Sequence, residues 1–179
     1  MATARVATER PEHRRRDVLV EPEWLQSRLG DPAVCVIEVD VRPVAYDEGH
    51  IAGAHLWNVY GDLKNDDYRT VGRASIERLV RRAGITADST VVFYGYAPAM
   101  GFWLMKRHRH ADVRILDCAR EVWRDGGRPW TSDVTASIRS SYRLPTPDDC
   151  VRADTRQVLD AIDDPRCTCL LYTSPSPRD

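Results

Sequence analysis

The chain has 179 residues, enough for one domain or for one domain and the beginning of another. Its composition, 42% hydrophobic and 30% charged, is that of an ordinary globular protein. No apolar run approaches the roughly 18 residues that a membrane span needs. The net charge of -1 provides no field to attract nucleic acid or anionic lipid. We therefore expect neither a membrane protein nor a nucleic-acid-binding protein.

The N-terminus and the cysteines indicate the cellular setting. Residues 1–16 are polar and basic and lack the apolar core of a signal peptide, so we predict a disordered lead. A nucleic-acid-binding arm is the alternative, but its five arginines have no aromatic residues between them. The five cysteines are Cys35, Cys118, Cys150, Cys167 and Cys169. Their odd number and irregular spacing favour reduced thiols and a cytoplasmic location.

The first half of the chain predicts a helix, a strand and a second helix. Pro22–Leu29 is typical of a short helix with proline in its first turn. Val34–Val39 is an apolar, β-branched run, as in a strand buried on both faces of a parallel sheet. Ala74–Ala83 has apolar residues at helical spacing and ends before Gly84.

The same alternation continues. Val91–Tyr94 predicts a second buried strand, and Pro98–Arg109 a helix that follows it. Val113–Leu116 predicts a third strand, and Arg120–Arg124 a short helix before two glycines. Strands and helices joined by short connections predict an α/β fold, with an open parallel sheet and helices on both faces.

The segment 131–153 has no apolar periodicity and is rich in Ser, Thr, Pro and Asp, so we predict a linker. Helical periodicity resumes at Asp154–Ile162, with Asp154 as a candidate N-cap. We interpret residues 154–168 as the beginning of a second domain that is cut short.

The last residues, Cys169–Asp179, match the in-frame translation of a transposase-type sequencing adapter. The alternative is a genuine C-terminus rich in Pro and Ser. We expect residues 169–179 to be an artefact that is not part of the fold. The pair Cys167 and Cys169 then loses one member, and with it any interpretation as a metal site.

One stretch carries a family resemblance. Ala45-Tyr46-Asp47 is followed by Gly49–Ala54, a Gly-His-Ile-x-Gly-Ala turn, after a buried strand. This order resembles the entry motif of the rhodanese sulfurtransferases. The region from Ile115 to Pro129, with Trp123, resembles the end of their first domain. Across residues 17–168 the chain is most similar to tandem-domain thiosulfate and 3-mercaptopyruvate sulfurtransferases.

The resemblance implies a rhodanese domain over 17–130 and a fragment of a larger sulfurtransferase. In that family the second domain holds a cysteine that carries sulfur as a persulfide, in a loop after a strand. Gly95 occupies the corresponding position here, so we expect no catalytic residue in this chain. No cofactor and no metal are implied. The expected partners are the missing second rhodanese domain and, for the parent protein, small-molecule sulfur donors and acceptors.

Cys118 suggests a different function, that of a cysteine phosphatase. Cys118 and Arg124 have the Cys-x5-Arg spacing of the phosphate-binding loop of cysteine phosphatases. That loop needs glycines so that its N–H groups converge on phosphate, whereas Ala-Arg-Glu-Val-Trp fills it here. Asp117 would also raise the pKa of the thiol. We therefore favour a structural cysteine.

Other conspicuous residues have structural interpretations. We expect His50 to bond backbone in its turn instead of acting in acid–base chemistry or as a ligand. The run Lys106–His110 complements the dipole at a helix end, although it could pass for a basic or metal patch. We expect Asp40 and Arg42 to form a charge pair at the end of a strand. The three tryptophans expected in the core are Trp57, Trp103 and Trp123.

Two functions remain open. The first is the inactive half of a tandem sulfurtransferase. The second is a stand-alone, catalytically inactive rhodanese-like module that binds or regulates a partner. A beginning second domain at 154–168 favours the first.

Overall fold

The computed structural model of the chain describes residues 18–136 and 138–168. The predicted disordered lead, the adapter-like tail and Cys169 lie outside the described residues. Within the described ranges, no helix is long and apolar enough to cross a bilayer.

Short strands and helices alternate along the described chain. In chain order they are β1 (Leu19–Val20), α1 (Pro22–Gln26), β2 (Val34–Asp40), α2 (Pro43–Glu48), β3 (His50–Ile51), β4 (His55–Asn58), α3 (Arg73–Arg82), β5 (Thr90–Gly95), α4 (Pro98–Arg107), β6 (Asp112–Leu116), α5 (Arg120–Asp125), β7 (Trp130–Thr131) and α6 (Thr155–Ala161). A single 3-10 turn, Asp149–Val151, precedes α6.

Five parallel strands form the main sheet, in the spatial order β1-β6-β5-β2-β4. The central pair is β2 and β5, in which Ile37 lies beside Phe93 and Glu38 beside Tyr94. A separate antiparallel pair joins β3 to β7. Because the main strands are parallel, β2, β5 and β6 all end at the same edge, and their following loops meet there.

Helices cover both faces of the sheet because successive strand residues point in opposite directions. On one face Phe93 packs with Ile76 of α3 and Leu104 of α4. On the other face Tyr94 packs with Leu25 of α1 and Trp123 of α5. The predicted α/β class, with an open parallel sheet flanked by helices, is confirmed.

The segment between β7 and α6 packs against the domain. Leu144 is buried in the cluster formed by α3 and α4, and its carbonyl accepts a hydrogen bond from Arg73. Farther along, the indole of Trp103 donates to the carbonyl of Val151 at 2.9 Å. The segment thus has little regular structure but contributes to the core.

Helix α6 has a complete N-terminal cap and an exposed surface. The Asp154 carboxylate accepts a hydrogen bond from the backbone N–H of Gln157 at 2.9 Å, and the side-chain oxygen of Gln157 accepts one from the backbone N–H of Asp154 at 2.8 Å. This capping box matches the predicted N-cap. The apolar side chains of Val158, Leu159 and Ile162 are each more than half exposed.

Candidate functional site

The loop after β5 lies at the edge where the parallel strands end, and Gly95, the last residue of β5, leads into it. Two of its backbone N–H groups donate to carbonyls of the protein. The N–H of Ala97 donates to the carbonyl of Val39 at 3.0 Å, and the N–H of Met100 donates to the carbonyl of Ala97. Pro98, the first residue of α4, has no N–H. These residues do not offer converging donors that would stabilise an anion.

Gly95 occupies a position that suits glycine alone. Its φ of 101° lies in the left-handed region, where a side chain is strained. A Cβ atom there would lie 2.9 Å from the carbonyl oxygen of Val39 and 3.0 Å from Cγ of Glu38. The backbone of β2 and a buried side chain fill the space that a longer side chain would need.

A cleft of about 480 Å³ opens beside this loop. Among its lining residues, Asp40 ends β2, Arg42 follows it, Glu48 ends α2, and Arg120 and Glu121 begin α5. Three of these five carry carboxylates and two carry guanidinium groups. Tyr96 stands at the rim with an exposed ring.

A buried carboxylate lies beneath the cleft. Glu38, in the middle of β2, is fully buried, and its Oε1 lies 3.5 Å from a guanidinium nitrogen of Arg120. Burial raises the pKa of the Glu38 carboxyl, although Tyr94 and Arg120 act in the opposite direction. Burial likewise raises the pKa of the Tyr94 hydroxyl well above its usual value. Both groups are thus biased toward their neutral forms.

Arg120 holds α2 and α5 together at the cleft. Besides its ion pair with Glu38, the guanidinium donates to the carbonyls of Ala45 and Gly49. It also lies over the ring of Trp130, 5.3 Å from the centroid. The same indole approaches Gly49 so closely that any Cβ there would collide with it. A single guanidinium nitrogen of Arg120 thus contacts the Glu38 carboxyl group and both backbone carbonyls.

His50 lies in the turn that the sequence singled out. It is buried, its Nδ1 is 2.8 Å from the carbonyl of Tyr46, and its Nε2 is 3.1 Å from the carbonyl of Asp133. Its ring stacks on that of Tyr46 at 3.7 Å. Both ring nitrogens contact backbone, which matches the structural interpretation.

Three of the described cysteines have pKa values above the usual range, for different reasons. Burial raises the pKa of Cys35 and, together with Glu23 and Asp117, that of Cys118. A hydrogen bond with Asp148 and its charge raise the pKa of Cys150. None of these three is set up as a thiolate at neutral pH.

The residues after Cys118 do not form a phosphate-binding loop. Its Sγ lies 3.2 Å from the carbonyl of Ala119, and α5 begins at the next residue. Arg124, the arginine of the suspected motif, pairs with its neighbour Asp125 at 2.9 Å. The structure therefore does not bring Cys118 and Arg124 together in one site.

The remaining candidates have positions within the fold. His108 and His110, at the end of α4, are buried, and Nε2 of His110 contacts the carbonyl of Ser89 at 2.8 Å. The Asp40 carboxylate accepts a hydrogen bond from the backbone N–H of Arg42 at 2.9 Å, so the contact between these two residues is with the main chain of Arg42. Trp57 and Trp123 are buried as expected, whereas Trp103 is only half-buried because it reaches outward to Val151.

Glu38 is a residue of the site that the sequence analysis did not predict. Its position as a charged residue inside an otherwise apolar strand could have indicated it. No group of three or more potential ligands that could hold a metal ion occurs among the described residues.

Comparisons with known proteins identify the family. The rhodanese-like domain family matches residues 21–125. The sulfur carrier protein TtuD of Thermus thermophilus is 36% identical over 151 residues, which cover 82% of this chain and 53% of TtuD. A provisionally named thiosulfate sulfurtransferase 1 of Mycobacterium bovis is 37% identical over 153 residues, 83% of this chain and 55% of that protein.

Solved structures agree on the fold. SseA from Escherichia coli, a 3-mercaptopyruvate sulfotransferase, superimposes with a TM-score of 0.71 at 18% identity, over 80% of this chain and 60% of SseA. The chain spans about half the length of the curated relatives it matches. On this sequence and structural evidence, the chain belongs to the rhodanese-like domain family.

Proposed function

We propose that this chain is the non-catalytic, N-terminal half of a tandem-domain thiosulfate or 3-mercaptopyruvate sulfurtransferase. The parent protein would transfer sulfane sulfur to cyanide or to thiols through a cysteine persulfide in its second rhodanese domain. One observation carries the proposal. Gly95 ends β5, at the position where the family resemblance puts the nucleophilic cysteine of an active domain.

The surroundings of Gly95 support an inactive domain. A persulfide site needs a thiolate stabilised by nearby N–H groups, and the sulfur donor thiosulfate is itself an anion. Around Gly95, Ala97 donates its N–H to Val39, and the three carboxylates of the cleft outnumber its two guanidinium groups. An excess of negative charge disfavours both the thiolate and the anionic donor.

The C-terminal region supports the missing second domain. Helix α6 is capped at Asp154 like the first turn of a folded unit, yet it exposes Val158, Leu159 and Ile162. The relatives are nearly twice as long as the matched region. We infer that residues 154–168 begin the second domain, with residues 17–130 forming the first. Cys35, Cys118, Cys150 and Cys167 are free, which supports a reducing, cytoplasmic setting.

A thiosulfate:cyanide assay tests the proposal. In the active reaction a thiolate attacks the sulfane sulfur, sulfite leaves, and cyanide then removes the sulfur as thiocyanate. We expect no thiocyanate above the blank from the 179-residue chain. Turnover that disappears in a Cys118→Ser variant would contradict the proposal and make Cys118 the nucleophile.

A stand-alone binding or regulatory module is the second candidate, and the cleft beside Gly95 favours it because a ligand could occupy that volume without chemistry. The uninterrupted gene separates the two. A strand with Asp-x-Arg after Thr168, followed by a cysteine-containing loop about one domain later, would support the tandem enzyme. A stop codon shortly after residue 168 would support the module.

A further inference from the structure

Four arginine side chains surround a pocket of about 430 Å³ beside α3. Three belong to α3 and one to the segment after β7: Arg78, Arg81, Arg82 and Arg139. Asp62 is the one carboxylate that lines this pocket in the described part of the chain. The pocket shares no described lining residue with the cleft beside Gly95.

Contacts from two other segments build the pocket. Asp62 accepts the backbone N–H of Asn58 at 2.8 Å, which leaves its other oxygen 3.7 Å from the guanidinium of Arg82. On the far side, Ser140 exchanges two hydrogen bonds with Arg81, at 3.0 and 3.2 Å. This double contact fixes the segment against the end of α3 and brings the adjacent Arg139 to the pocket.

The arrangement concentrates positive charge in a chain whose net charge is -1. Arg78 lies three residues before Arg81 and four before Arg82, so the three share one side of α3, where like charges repel. The helix dipole favours Arg81 and Arg82 in the last turn. It does not account for Arg78 in the preceding turn, or for Arg139, which another segment brings in. An anion in the pocket would relieve this repulsion.

We propose that this arginine pocket binds a multivalent oxyanion. Guanidinium groups present a planar fork of donors that fits the oxygens of phosphate or of a sulfur oxyanion. The hydroxyl of Ser75, 2.8 Å from Arg78, adds a further polar group at the wall. The volume lies within the range of small-molecule sites and exceeds what one simple ion fills. The proposal is independent of the sulfurtransferase assignment.

Titration calorimetry on the full chain tests the proposal, with pyrophosphate and thiosulfate as the two probes. Sodium chloride at the same ionic strength separates specific binding from screening. We expect at least one probe to bind, and Arg139→Gln to weaken it about tenfold, the effect of losing one charge-assisted hydrogen bond. Tighter pyrophosphate binding would identify a phosphorylated ligand, and tighter thiosulfate binding a sulfur oxyanion.

Arg156→Gln is the matched control, because it removes another exposed arginine, from α6, that does not line the pocket. It should bind like the unmodified chain. Arg139 is exposed, so its replacement leaves folding intact, and an unchanged thermal melt verifies this. Binding no stronger than with chloride, or equal loss in Arg139→Gln and Arg156→Gln, would overturn the proposal.

Discussion

At the scale of single residues, Gly95 and Glu38 determine what the cleft can do. Gly95 has a backbone conformation that disfavours side chains, and Glu38 fills the space behind it. Exchanging glycine for cysteine would therefore not recreate the active site of a catalytic rhodanese domain. The proposal of an inactive domain therefore rests on the surrounding backbone and charge as well as on the glycine itself.

A pair of glycine substitutions separates crowding from backbone strain. Gly95 and Gly127 both have positive φ, but a Cβ at Gly127 meets nothing within 4 Å. Both Gly→Ala variants should lose stability, on the order of 1–3 kcal/mol for the strained backbone alone. Gly95→Ala should lose about 1 kcal/mol more because of overpacking against β2. Urea unfolding measures both, and equal losses would show that Gly95 is not crowded.

The buried Glu38 predicts a pH-dependent stability. Because its folded-state pKa is raised, its contribution is fully present below the ordinary value of 4.5 and is lost as pH rises through the folded pKa. The unfolding free energy of the unmodified chain should thus fall relative to Glu38→Gln between about pH 4 and neutrality. Exposed Glu48→Gln is the control for removing a carboxylate from the cleft. A Glu38→Gln difference that stays constant with pH would refute the raised pKa.

At the scale of secondary-structure elements, the sequence predicts the strands and helices that have a clear hydrophobic pattern. β2, β5 and α3 follow directly from apolar runs or helical spacing. The short pieces β3 and β7 escaped prediction because two residues have no period, and tertiary contacts alone define them.

Packing contacts made by single residues outside the regular elements could not be predicted from the sequence either. Leu144 stands alone in a segment rich in Ser and Pro, so nothing local marks it as core. Glu38 is a charged residue among apolar neighbours, which marks it as unusual, but the sequence does not show that Tyr94 and Arg120 lie beside it. The sequence pointed to Gly95 through the family resemblance, because no hydrophobic pattern distinguishes that residue.

Leu144 allows a test of whether the segment after β7 belongs to the domain. Leu144→Ala should reduce the unfolding free energy by about 2–5 kcal/mol, as for other buried leucines. Ile138→Ala, in the same segment but 94% exposed, is the control and should change stability little. Chemical denaturation of both variants measures the difference. Similar small effects would mean that the segment is only a linker.

At the scale of the whole molecule, the chain is a rhodanese-like domain followed by an exposed helix. The sheet is complete and covered on both faces, whereas α6 exposes Val158, Leu159 and Ile162. An apolar helix face of this kind promotes association when nothing covers it. The chain matches about half the length of each of these relatives.

Shortening the chain tests this view. Ending it after Arg152 removes α6 but keeps Leu144 and the contact of Trp103 with Val151, so we expect less self-association and unchanged stability. Ending it after Pro129 removes Leu144 as well and should lower stability. Sedimentation velocity measures the self-association of the full and shortened chains, and thermal melting measures their stability. A full chain that remains monomeric at high concentration would count against an uncovered surface on α6.

We infer that this rhodanese domain has no persulfide site of its own. Intact mass spectrometry after incubation with thiosulfate tests this inference, because a persulfide adds the mass of one sulfur atom before any acceptor reacts. We predict an unchanged mass under conditions that load a catalytic rhodanese domain used as the positive control. A sulfur adduct that reducing agent removes, and that maps to Cys118 or another cysteine, would contradict the inference.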